Sequence, residues 1–117
     1  MSEYEAALKP DICFAVHDGV ELLGDLHYPR GLDNAPVLVA AHGGGWQIGD
    51  RYVYQHWGPY LASHGYAVFT IEYRLMKPGV KTWPGAAYDV KAAMQYVRAN
   101  AAKLGVDPHR IALIGDS

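Results

Sequence analysis

The chain has 117 residues, 50% of them hydrophobic and 19% charged, with a net charge of −2 at pH 7. That balance fits a soluble globular domain with a core of its own, and it excludes the basic patch that a nucleic-acid binder needs. No apolar run reaches the roughly 20 residues of a membrane span. The start, Met1-Ser2-Glu3-Tyr4-Glu5, lacks the basic opening and apolar core of a secretory signal. The lone Cys13 rules out an internal disulfide and fits a reducing, cytoplasmic setting.

The order of elements begins with a hairpin. Ile12 to Val16 and Val20 to Tyr28 read as strands joined by His17-Asp18-Gly19, because Asp-Gly between apolar runs is a strong hairpin signal. Cys13 therefore reads as a buried strand residue rather than a nucleophile. After a polar turn from Pro29 to Pro36, Val37 to Ala41 is a short apolar run, bounded by Pro and Gly, that predicts a buried strand. Tyr52 to Ser63 reads as a helix that Gly58-Pro59 divides and His64-Gly65 ends. Tyr66 to Tyr73 is a further strand, and Arg74 to Trp83 a loop. A long helix opens at Pro84, where proline suits the first turn. Its apolar stripe is Ala87, Val90, Met94, Val97, Ala101 and Leu104, and Gly105 stops it. Asp107-Pro108 turns the chain into a last strand, Ile111 to Ile114. Strands alternating with helices after a hairpin predict an α/β fold with a largely parallel sheet, in a single domain without repeats.

Two stretches carry chemistry. His42-Gly43-Gly44-Gly45-Trp46 follows a buried strand directly. Three glycines weaken any regular element but let main-chain N–H groups turn outward, which suits the holding of a negatively charged oxygen. Gly115-Asp116-Ser117 follows the last strand and matches the first half of G-x-S-x-G, a tight strand-to-helix turn that exposes a serine hydroxyl.

With a glycine loop and a serine in this order, the whole chain resembles the N-terminal half of the hormone-sensitive-lipase-like esterases and small carboxylesterases of the α/β-hydrolase superfamily. Glu72-Tyr73-Arg74-Leu75, Pro84 to Asp89 and Asp107-Pro108-His109-Arg110 support the likeness. The resemblance implies an α/β-hydrolase fold, incomplete in this chain, with residues 1–117 as the N-terminal portion of one domain. It implies that Ser117 attacks an ester carbonyl to form an acyl-enzyme, acting on small or short-acyl esters. Gly44 and Gly45 would supply oxyanion N–H donors, worth about 3–4 kcal/mol each, with Gly43 shaping the loop and His42 orienting it. The family order places the triad acid and histidine after the serine, so His17, His27, His56, His64 and His109 read as surface or packing residues. No metal or organic cofactor is implied, since a Ser-His-acid mechanism needs none.

Some residues keep two readings. Trp46 either lines the substrate pocket or covers the loop. Asp50-Arg51 forms an ion pair or, preferably, caps the next helix. Glu72-Tyr73-Arg74 reads as a buried Arg–carboxylate brace in preference to a substrate contact, and Asp89 as a first-turn acid favoured by the helix dipole. An arylformamidase or a peptidase on the same scaffold is the alternative enzyme. A non-catalytic hydrolase-fold subunit is the alternative from another class. A sheet stopping at Ser117 leaves apolar surface uncovered, so the chain is expected to be inactive alone. The expected partners are a small-molecule ester, an associated C-terminal polypeptide of the same hydrolase and, as a further option, a second copy of the chain. A break after Ser117 would set a carboxylate beside the developing oxyanion, and a nicked form is expected to be impaired.

Overall fold

In a computed structural model of the chain, the described residues are 3–17, 19–42, 56–73 and 85–115. The elements are β1 (Ala6–His17), β2 (Val20–Pro29), β3 (Ala35–Ala41), α1 (Trp57–Ser63), β4 (Ala67–Ile71), α2 (Gly85–Ala99), α3 (Ala101–Leu104) and β5 (Val106–Gly115). The five strands form one sheet in the order β1-β2-β4-β3-β5. β1 and β2, and β2 and β4, pair antiparallel, whereas β3 pairs parallel with both β4 and β5.

The hairpin forms where Asp18-Gly19 predicts it, with His17 paired to Val20 and Gly19 at φ 76°, a region glycine enters without a Cβ clash. β1 starts earlier than the apolar run Ile12 to Val16. Its register shifts between Lys9 and Ile12, where Asp11 adopts φ 58° and its N–H donates to Asp25 Oδ1 at 2.9 Å. A bulge of this kind lets a strand run through a Lys-Pro-Asp stretch that by itself reads as a turn. Cys13 is half-buried rather than buried, its thiol donating to the Ala15 carbonyl at 3.4 Å.

The core follows from the period-2 alternation of the central strands. Val37 and Val39 of β3, with Ala67, Phe69 and Ile71 of β4, pack on one face against Ala93 and Val97 of α2 and Ala101 and Leu104 of α3. Phe69 meets Phe14 edge-to-face at 5.9 Å between ring centroids. The intervening Ala40 and Val68 turn to the other face, against Leu61 of α1. The two crossovers therefore cover opposite faces: α1 lies between β3 and β4, and α2 with α3 between β4 and β5.

The helices differ in detail from the sequence reading. α1 starts at Trp57, so Gly58-Pro59 falls in its first turn, where proline costs no hydrogen bond, and does not divide it. His56 occupies the N-cap position of α1, without a side-chain capping bond, whereas Asp50 and Arg51 lie outside the described residues. The long helix is two. They meet at Asn100 (φ −111°, ψ 18°), whose side-chain amide and backbone N–H both donate to the Tyr96 carbonyl, at 2.9 and 3.0 Å. Gly105 in the left-handed region (φ 73°) closes α3. Asp89 is not a first-turn acid: it sits a turn further into α2, fully buried, with Oδ1 at 3.4 Å from His17 Nε2. It ties the hairpin to the helix rather than serving the helix dipole. β5 begins at Val106, and Asp107 to Arg110 bulge between the pairs Ala35↔Val106 and Val37↔Ile111. Asp107 closes that bulge by accepting the His109 N–H (2.9 Å) and Arg110 Nε (2.8 Å), which hold its carboxyl below the ordinary range.

His27 is a packing residue. Buried on β2, it lies against Gly58 of α1, where any Cβ would run into the imidazole ring. Burial pushes its pKa below the ordinary 6.5, opposed by the nearby Asp25 carboxylate. The unfolded chain then binds a proton that the folded chain does not, so stability falls as pH drops through 6.5 and levels off below the folded-state value. We expect His27→Gln to remove part of this slope in denaturation midpoints measured between pH 8 and pH 5; an unchanged slope would contradict the assignment.

Candidate active site

Ligands of open α/β sheets bind beyond the carboxyl ends of the strands, where the strand order reverses. In this sheet the reversal is at β3, since β4 is added on one side of it and β5 on the other. The last parallel pairs there are Ala41↔Ile71 and Ala41↔Gly115, so three strands end level with one another. Adjacent strands lie about 4.8 Å apart. One residue past Ala41 comes His42 and then the glycine run, and two residues past Gly115 comes Ser117. The two sequence motifs thus leave the sheet from neighbouring positions on one rung. Gly43, Gly44, Gly45, Trp46, Asp116 and Ser117 themselves lie outside the described residues.

The rung is tight for any side chain at position 115. A Cβ placed on Gly115 would sit 3.1 Å from the Ala41 carbonyl oxygen, closer than backbone normally tolerates.

His42 is buried, 4% exposed, and it is held from the β4 side. The Tyr73 hydroxyl donates to the His42 carbonyl at 2.6 Å, and the phenol ring stacks on the imidazole at 4.3 Å with an interplanar angle of 16°. Tyr73 is 6% exposed. Within Glu72-Tyr73-Arg74 the sequence reading put the weight on the charged pair. Arg74 lies outside the described residues, and it is the tyrosine that reaches the glycine loop's first residue. Glu72 also extends the β2–β4 ladder: its N–H donates to the Leu23 carbonyl at 3.0 Å and its Oε2 accepts the Leu23 N–H at 3.4 Å. Parallel pairing of Ala41 with Ile71 puts residues 42 and 73 together just past the last rung, a proximity the sequence does not show until that register is known.

Of the other histidines, His64 is tied to the Tyr60 carbonyl at 2.9 Å, and His109 lies in the exposed β5 bulge. Among the described residues, no three His, Cys, Asp or Glu side chains are grouped to hold a metal ion, and no helix is long and apolar enough to cross a membrane.

The BD-FAE family model matches residues 25–117. The chain belongs to the BD-FAE family. Carboxylesterase NlhH of Mycobacterium tuberculosis is 39% identical over 89 residues, covering 73% of this chain and 26% of NlhH. Gut esterase 1 of Caenorhabditis elegans is 33% identical over 98 residues, 76% of this chain and 17% of that protein. A bacterial heroin esterase superposes with a TM-score of 0.86 at 34% identity, over 97% of this chain and 36% of that one. A thermophilic esterase of Thermogutta terrifontis, Est2, gives 0.83 at 31% identity, over 97% and 40%. The mixed sheet with flanking helices is thus the N-terminal part of the α/β-hydrolase fold of these esterases. The chain spans well under half the length of any of these four.

Gly115→Ala should strain the last β3–β5 rung by about 1–3 kcal/mol. Amide exchange at that rung is expected to quicken by about 10- to 100-fold, with the Val37–Val39 amides still protected. Unchanged exchange near Ala41 would show that the close approach is not required.

Proposed function

We propose that the chain is the N-terminal portion of a single α/β-hydrolase domain in a serine carboxylester hydrolase for small or short-acyl esters. The observation that supports this best is the shared rung: Ala41 and Gly115 are paired, and the glycine run and the serine follow them within two residues. A trans peptide advances at most 3.8 Å per residue, so a serine two residues past one strand end and glycines two to four past its neighbour can reach one carbonyl group.

In this reading the Ser117 hydroxyl attacks the ester carbonyl and passes its proton to a histidine in the C-terminal portion, which an Asp or Glu from the same portion orients. The backbone N–H groups of Gly44 and Gly45 hold the tetrahedral oxyanion, each worth about 10²- to 10³-fold in turnover. The alcohol leaves with the transferred proton, and water then releases the acid from the acyl-enzyme. Trp46, next in line after the glycines, lines the acyl or alcohol side of the pocket. The short-acyl preference draws on Est2 of T. terrifontis, described with propionate bound and with butyrate bound. That protein is also described as phosphorylated by paraoxon. A cytoplasmic location agrees with the single free Cys13.

With p-nitrophenyl acetate the intact hydrolase should release a burst of one p-nitrophenol per site. Ser117→Ala should abolish the burst and lower turnover by at least about 10⁴-fold. A variant that keeps the burst would rule out Ser117 as nucleophile.

A further inference from the structure

We propose that Tyr73 is a positioning residue of the ester-cleaving site, its hydroxyl setting the orientation of the peptide from which the glycine run starts. The proposal rests on the reading of Gly44 and Gly45 as oxyanion donors. A peptide group is planar, so whatever fixes the carbonyl of His42 also fixes the amide that follows it. The Tyr73 O–H holds that carbonyl at 2.6 Å inside the protein, where a hydrogen bond is electrostatically stronger than in water. Three glycines in succession have little torsional preference of their own. The residue before that run, His42, is held through its carbonyl by the phenol and through its ring by stacking at 4.3 Å.

The anchor follows directly on a buried strand. Tyr73 stands two residues past Ile71, the last residue of the fully buried β4, and Ile71 pairs with Ala41, the residue before His42. A site supported from a strand is held more closely than one supported from a loop. Tyr73 touches neither substrate nor reacting atoms in this account and acts only through the His42 peptide. The oxyanion donors need aim within a few tenths of an ångström, and small misplacements are costly in turnover.

The test is Tyr73→Phe in the intact hydrolase, which keeps the ring on His42 and removes only the donor, run beside Ser117→Ala. The expected result is a kcat for p-nitrophenyl acetate lower by about 10- to 30-fold, with KM within about threefold. Affinity for a trifluoromethyl ketone, which forms a tetrahedral oxyanion at the serine, should weaken by the same factor as kcat. A purely structural role would lower the melting temperature and leave kcat and ketone affinity alone, and that result overturns the proposal. Should the Phe variant fail to fold, p-aminophenylalanine at position 73 takes its place. Its para N–H can donate to the same carbonyl, so near-wild-type kcat supports the proposal, and a stable protein with tenfold lower kcat overturns it. Full turnover in Ser117→Ala would instead overturn the serine reading and this proposal with it, whereas an inactive Ser117→Ala beside a fully active Tyr73→Phe overturns this proposal alone.

Discussion

Everything at the chemical end of this molecule depends on parallel pairing in register between β3 and β5. Parallel neighbours carry their carboxyl ends to the same edge of a sheet, so two segments far apart in the chain can deliver their sequels side by side. Here Ala41 and Gly115 are opposite one another, so the residues from which the two segments continue are set side by side by a strand spacing. A shift of the register by one residue would move both the buried face and the point of exit together.

The pairing is itself a product of packing. β3 is buried on both faces, with α2 and α3 covering one and α1 the other. Each crossover has to return the chain to the amino end of the sheet before the next parallel strand can start. Gly105 provides the second return by ending α3 in a left-handed turn, and its carbonyl accepts the Ala35 N–H at 3.3 Å. Asp107 then gathers the bulge, while Arg110 donates to the Asn34 carbonyl at 2.8 Å, clamping the start of β5 to the turn before β3. From Val37↔Ile111 onward the two strands run without a shift to their last rung.

Much of this is legible in the residues. The Asp-Gly hairpin, the apolar runs of the central strands, the stripe of α2 and the stop at Gly105 each have a local cause, and each stands where that cause puts it. What was not legible depends on contacts made over long distances. Asp89 reads as a first-turn acid because helix position is local information, whereas its burial beside His17 depends on how the hairpin folds over α2. The break at Asn100 falls within an apolar stripe that continues through Val97, Ala101 and Leu104, so the periodicity alone does not show it. Tyr73 was overshadowed by the charges beside it, since the contact with His42 exists only once the β3–β4 register is known. The candidate site was legible as two motifs and their order; that they leave from one rung is the contribution of the fold.

The most direct measurement is a crystal structure of the intact hydrolase after reaction with a phosphonate ester. The account predicts phosphorus bonded to Ser117 Oγ, and a phosphoryl oxygen about 3 Å from the backbone nitrogens of Gly44 and Gly45. It also predicts that the His42 carbonyl is still held by Tyr73. An adduct on another residue, or a phosphoryl oxygen turned away from the glycine run, would contradict it.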